Sequence, residues 1–184
     1  MVIFGIDPGS ERTGYGCIRT DGRRHQLLVC GAISAPAGAA FPDRLRVIHC
    51  GLERLLQEQR PDCVAIENIF HARNVRSALR LGHARGVALL AASAAGVPIA
   101  EYTPAEIKRA VVGFGRAEKP QIGRMVTLLL GLDAPPSPHD AADALAVAIC
   151  HIHSSTGAVA NAMRGLPARR SPGGSATSWR AYRP

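Results

Sequence analysis

The first seven residues, MVIFGID, form a nearly unbroken apolar run ending in an acid, the pattern of a strand covered on both faces. A turn-forming PGSER follows. TGYGCIRT and HQLLVCGAIS then read as two further strands, with DGRR between them as a hairpin turn, so the chain opens with a three-stranded meander. Leu45, Ile48, Leu52, Leu55 and Leu56 recur at helical spacing and predict a helix over residues 42–59 that stops before Pro61. DCVAIE predicts a fourth, buried strand. Next come a helix over 74–95, rich in alanine with Gly82 and Gly86 one turn apart, and a short strand, VPIAE. Three helices over 104–111, 120–131 and 140–153 complete the pattern, with Gly113 and Gly115 breaking the first from the second.

The order βββαβαβααα, with a parallel crossover from the first strand to the fourth, predicts an α/β domain whose mixed five-stranded sheet is flanked by helices. From Ser154 onward Gly, Ser, Pro, Ala and Arg dominate and no apolar period survives. The expected division is therefore a folded domain, 1–153, and a disordered basic tail, 154–184. At 184 residues and 47% hydrophobic content, one core is the default.

The net charge of +8 suggests a polyanionic partner, but part of it belongs to the tail. Five of the 22 basic residues and none of the 14 acids lie after His153, so the body carries 17 against 14, a net +3. Five scattered cysteines without a CxxC pair indicate neither a disulfide framework nor a zinc ribbon. The longest mostly apolar run, residues 87–100, is too short to span a bilayer, and no basic lead-in precedes an apolar segment at the N-terminus. A soluble, cytoplasmic protein is expected.

Chemistry enters with four acids. Asp7 ends the first strand and Glu67 the fourth; as parallel neighbours, these strands release both side chains at one sheet edge, where open sheets bind ligands. Asp140 and Asp143 are three apart on a helix whose apolar residues 144–150 require it to pack on the sheet. Singly, each acid has an ordinary explanation: Asp140 and Asp143 favour a helix start, Asp7 a turn before Pro8, and Glu67 a solvated strand end. Jointly they repel, since two carboxylates about 4 Å apart cost roughly 4 kcal/mol at an effective dielectric near 20. A positive group must sit among them. All-oxygen ligands suit Mg2+, or Mn2+, as one or two ions that position water, neutralise phosphate charge and stabilise a leaving oxygen. This points to metal-assisted phosphodiester hydrolysis.

GIDPGSERTGYG, AIENIF, VVGFGRAEK and HDAADALAVAICH, in that order over residues 1–153, together resemble the RuvC family of bacterial Holliday junction resolvases. The resemblance implies a ribonuclease H-like fold and four catalytic, metal-holding acids at Asp7, Glu67, Asp140 and Asp143. It implies a metal-dependent endodeoxyribonuclease that resolves four-way DNA junctions by paired symmetric nicks, in recombination and DNA repair. It also implies a homodimer, with the helix over 74–95 at the interface, and RuvA and RuvB as partner proteins. A two-fold junction is best met by two identical sites related by the same symmetry. From the residues alone, Ala78, Gly82 and Gly86 suit either close approach of two such helices or tight packing of one on its own sheet.

Candidate nucleic-acid contacts follow Glu67. Arg73, Arg76 and Arg80, with Arg85 beyond, lie in a stretch without acids and suit backbone phosphates, or else a solvated helix face. Phe70 stands where the family places an aromatic that stacks on an unpaired base; its rival role is to close the core. Among twenty arginines there are only two lysines, Lys108 and Lys119, both beside VVGFGRAEK. Lys119 precedes Pro120, a natural first helical residue, so its charge opposes the helix dipole. An ammonium aimed at the scissile phosphate accounts for it, and Lys108 is a further DNA contact. His139 is left outside the core site, and His151 and His153 are expected at a helix end, where the dipole favours them. Alternatives are another ribonuclease H-like nuclease, a non-catalytic junction-binding module, or an actin-like ATP-binding protein, the last disfavoured by length and by the lack of a second glycine-rich loop.

Overall fold

The computed structural model describes residues 1–68 and 74–163, with side chains of the last helix followed to Ser155. The strands are β1 Val2–Asp7, β2 Arg12–Thr20, β3 His25–Ser34, β4 Cys63–Glu67 and β5 Ile99–Tyr102. The helices are α1 Phe41–Gln59, α2 Val75–Ala94, α3 Pro104–Val112, α4 Lys119–Leu129 and α5 His139–Met163. The sheet runs β3-β2-β1-β4-β5: β2 pairs antiparallel with β1 and β3, and β4 pairs parallel with β1 and β5. This is the mixed sheet that the element order predicts.

Local chemistry sets the boundaries. In the β2–β3 hairpin the Asp21 carboxylate accepts from the backbone N–H groups of Arg23 and Arg24, and Gly22 takes φ 93°. Helix α1 ends with Arg60 in the left-handed region, its N–H donated to the Leu56 carbonyl, before Pro61 forbids another turn. Thr103 and Glu106 form a reciprocal cap at the start of α3, and Glu118 and Gln121 do so for α4.

Alternation along the strands makes two cores. Ile3, Ile18, Cys63 and Ala65 face α3, α4 and α5, whereas Phe4, Ile6, Val64 and Ile66 face α1 and α2. Helix α5 is buried almost all round from Ala141 to Ile152, because the sheet lies under it and α3 and α4 lie over it. Cys17, Cys63 and Cys150 are buried, and all five cysteines are free thiols. Among the described residues no helix is long and apolar enough to cross a membrane.

One boundary differs from expectation. Helix α5 runs to Met163, ten residues past His153, so the division at Ser154 falls inside a helix. No proline stands between His153 and Met163 to end the helix. His151 and His153 are therefore mid-helix: His151 shares a hydrogen bond with the Tyr102 hydroxyl, and His153 Nδ1 donates to the Ala110 carbonyl. Residues 164–184 of the expected tail lie outside the described residues.

Three glycines form the floor beneath α5. A Cβ on Gly5 would collide with the Ala144 carbonyl, one on Gly14 with the Asp140 carbonyl, and one on Gly16 would stand 2.6 Å from the Leu145 side chain. The helix backbone thus rests on the bare backbone of β1 and β2. Gly5→Ala and Gly14→Ala should each destabilise the domain by about 1–3 kcal/mol, the usual cost of overpacking. Urea unfolding measures this, and an unshifted midpoint for both would contradict the close packing.

Candidate active site

Strand parity aims the first two acids. Asp7 continues the Ile3–Gly5 series and Glu67 the Cys63–Ala65 series, so both side chains emerge on the face covered by α5. Register makes them neighbours: Ile6 pairs with Ile66, and the next residues are Asp7 and Glu67. The glycine floor then lowers the first turn of α5 onto the same edge, bringing Asp143 beside them. Asp7, Glu67 and Asp143 line one cavity of about 240 Å3 together with Lys108, Lys119, Ile107 and Ile122.

The electrostatics are strained by design of the site's geometry. Burial pushes the Asp7 carboxyl up to about 9, and the charge of Glu67 and a hydrogen bond with it act in the same direction. Asp7 thus keeps its proton and donates to Glu67. Glu67 is itself raised, chiefly by burial and with Asp143 adding to it, while Lys119 and Lys108 oppose the rise. Lys119 Nζ donates to Asp143 Oδ2 at 2.8 Å, and that bond raises the lysine above its ordinary value. The lysine side chain is 80% exposed, so its charge remains available to an incoming anion.

Asp140 is placed differently. Its backbone sits over Gly14 of β2, and its carboxylate meets Arg12 Nη1 at 3.4 Å, outside the lining of the cavity. Three of the four acids expected to meet are therefore around one space, and the fourth is adjacent, held by an arginine. Sequence reasoning missed Arg12, although it lies in the GIDPGSERTGYG motif. Among the described residues no three carboxylate, imidazole or thiolate groups already stand as a metal cage; the acids are instead held by each other and by Lys119 and Arg12. The donor set nonetheless fits a hard divalent cation: every donor is oxygen, and a proton now holds two carboxylates together where a cation would do so better.

The other candidates divide. Lys108 joins the cavity. Arg76 is exposed at the start of α2, while the Arg80 guanidinium lies 5.6 Å from the Phe41 ring centroid. Arg85 turns inward to an ion pair with Glu101 of β5 and so braces the sheet. His139 is outside the carboxylate cavity, as expected of a residue apart from the core site. Phe70 and Arg73 lie outside the described residues.

Comparison with known proteins agrees with this geometry. The family model for crossover junction endodeoxyribonuclease RuvC matches residues 3–151. The chain is 51% identical over 154 residues to a protein of that name from Syntrophomonas wolfei, spanning 84% of this chain and 90% of the relative. It is 48% identical to that of Trichlorobacter lovleyi over 184 residues and the full length of both. Among solved structures, Thermus thermophilus RuvC in complex with Holliday junction substrate superposes with a TM-score of 0.81 at 35% identity, over 86% of this chain and 96% of that one. With its carboxylates gathered at one edge of a ribonuclease H-like sheet, the chain belongs to the RuvC family of crossover junction endodeoxyribonucleases.

Proposed function

We propose that this protein resolves Holliday junctions by hydrolysing phosphodiester bonds at the cavity formed by Asp7, Glu67, Asp143 and Lys119. It is a nuclease of the RuvC family, acting in DNA recombination. The observation that carries the site assignment is the convergence of three acids and both lysines of the chain on one cavity. A non-catalytic junction-binding module would have no use for buried acids beside DNA phosphates.

Asp7, Glu67 and Asp143 would hold Mg2+ or Mn2+, one or two ions, with Asp140 joining once it leaves Arg12. The ion's contribution is to activate water and to neutralise charge on the phosphate. Lys119 supplies a compact positive charge at the rim, oriented by Asp143, where negative charge grows on the cleaved phosphate. Arg76, Lys108 and Arg80, with Phe70 and Arg73 beyond the described residues, are proposed contacts to the junction arms; such contacts make binding salt-dependent.

A homodimer is proposed through α2. Val75, Leu79 and Leu90 are exposed there, at 76%, 59% and 59%, and Gly82 and Gly86, on the same face, have no atom within 4 Å of an added Cβ. That stripe faces away from the domain's own sheet, against which Ala84, Ala88, Ala91 and Ala92 pack. RuvA and RuvB are the partners proposed from family membership, and the cytoplasm the compartment.

Cleavage of matched four-way, duplex and RNA–DNA hybrid substrates with Mg2+ or Mn2+ tests the function; selective nicking of the four-way substrate is expected. Asp7→Asn should slow single-turnover cutting by at least about 100-fold with junction affinity nearly unchanged, and equal loss of both would refute the assignment. Lys119→Ala should slow cutting by about tenfold or more. Leu79→Asp should turn a dimer into a monomer in analytical ultracentrifugation; a wild-type monomer would refute the interface.

Stability should also depend on pH. The folded-state pKa of Asp7, about 9, lies above its ordinary 3.8, so the folded form binds the extra proton between these values. In chelator, the contribution of Asp7 to stability should be full below about pH 4 and fall as pH rises toward 9, by an amount on the order of a few kcal/mol. Asp7→Asn should flatten that slope, and added Mg2+ should offset it; a wild-type slope equal to the variant's would sink the electrostatic account.

A further inference from the structure

On the other side of the Lys119–Asp143 ion pair lies a second and larger space, a groove of about 520 Å3. The pair is a shared wall, since both residues line the carboxylate cavity as well. The groove's surface is mainly apolar, made by Pro120, Gly123 and Ala142 from α4 and α5 and by Pro135 and Pro136 of the connecting loop. Two polar side chains, Arg124 and His139, complete it. Its size and its few polar groups in an apolar lining are those of a small-ligand site.

We infer that this groove receives the base of a nucleotide immediately flanking the scissile phosphate. This rests on the proposed cleavage at the carboxylate cavity. With the phosphate at Lys119, the neighbouring nucleoside lies across the shared wall. Proline rings and Ala142 offer flat apolar surface to a base unstacked at the crossover, while Arg124 and His139 are placed to meet its polar edge. Charge fits the same occupant. Asp143 is the groove's one acid and is bonded to Lys119, which leaves Arg124 as surplus positive charge facing a polyanion. A groove continuous with the reaction site and positively biased suits the substrate strand better than a protein segment.

The base contact also makes chemical sense of position. A base seated one wall away from Lys119 fixes the height of its own phosphate over the carboxylates, converting binding into alignment of the reacting bond. Arg124 pairs with purine edges and His139 with either class, so the groove reads base identity only coarsely.

Single-turnover cutting of four-way junctions carrying an abasic nucleotide just 5′ or just 3′ of the cut tests the inference. For the wild type, one of the two abasic junctions should be cut about tenfold more slowly than the intact one, the effect of losing one base contact. Gly123→Leu places a bulky apolar side chain in the groove from a position where an added Cβ meets no atom within 4 Å. That variant should cut the intact junction as slowly as the wild type cuts the affected abasic one, and the two proteins should agree on the abasic junction. Normal rates on both abasic junctions overturn the inference, as does a variant that slows intact and abasic junctions alike. Should Gly123→Leu fail to melt like the wild type, Arg124→Ala and His139→Ala replace it, with rates compared across the four bases at the affected position; an unchanged ranking overturns the inference. A wild type that cuts no four-way junction refutes the proposed function instead.

Discussion

The site depends on how closely α5 can lie on the sheet. Two acids come from strand ends and the others from the first turn of a helix, and only a helix pressed onto backbone reaches them. Gly5, Gly14 and Gly16 make that possible by presenting no side chain where the Asp140 and Ala144 carbonyls and the Leu145 side chain descend. The alanine-rich body of α5 is the other half of the contact: Ala141, Ala144 and Ala148 are wholly buried and small enough to keep the approach short. Fold and chemistry are therefore one constraint, and a methyl group under the helix disturbs both.

That approach has an electrostatic cost, which the protein offsets locally. Asp7 and Glu67 share a proton, Lys119 takes Asp143, and Arg12 takes Asp140. Each arrangement leaves the acids poised: a proton leaves more readily than a carboxylate can be moved, and the ion pairs at the rim are exposed enough to exchange partners. A divalent cation held by Asp7, Glu67 and Asp143 would take the place of a proton, which would link its affinity to pH. Such a cluster of acids is ordinarily less stabilising than an apolar filling of the same volume, as expected where function sets the residue types.

Much of this was legible in the residues because it is local or periodic. The ends of β1 and β4 follow from apolar runs, α1 from its leucine spacing and Pro61, and the β2–β3 turn from DGRR. Parity and register, once a parallel pair is granted, place Asp7 beside Glu67 without coordinates. What sequence did not reveal is set by tertiary context. The pairing of Arg12 with Asp140 joins residues 128 positions apart, and nothing in either neighbourhood announces it. Arg85 reads like the other arginines of its stretch, yet it lies on the flank of α2 nearest β5 and finds Glu101. Helix α5 outlasts its apolar period, and a stretch without proline carries no stop signal that the pattern could have read. Likewise, whether Gly82 and Gly86 meet their own sheet is a question of helix rotation, which composition leaves open.

The lysines make the strongest case for a built site. In a chain that uses arginine for basic charge almost everywhere, chance would scatter two lysines over the surface; both instead line the cavity of Asp7, Glu67 and Asp143. An arginine there would bring a planar fork suited to clasping a carboxylate with two parallel bonds, and would tie Asp143 up. An ammonium holds one carboxylate oxygen and leaves the other free, as Lys119 does with Oδ2 alone. It also presents charge in all directions from a point, which suits a phosphate whose geometry changes during cleavage. The choice of lysine at position 119 thus fits a group that steadies an acid through one oxygen and leaves the other open.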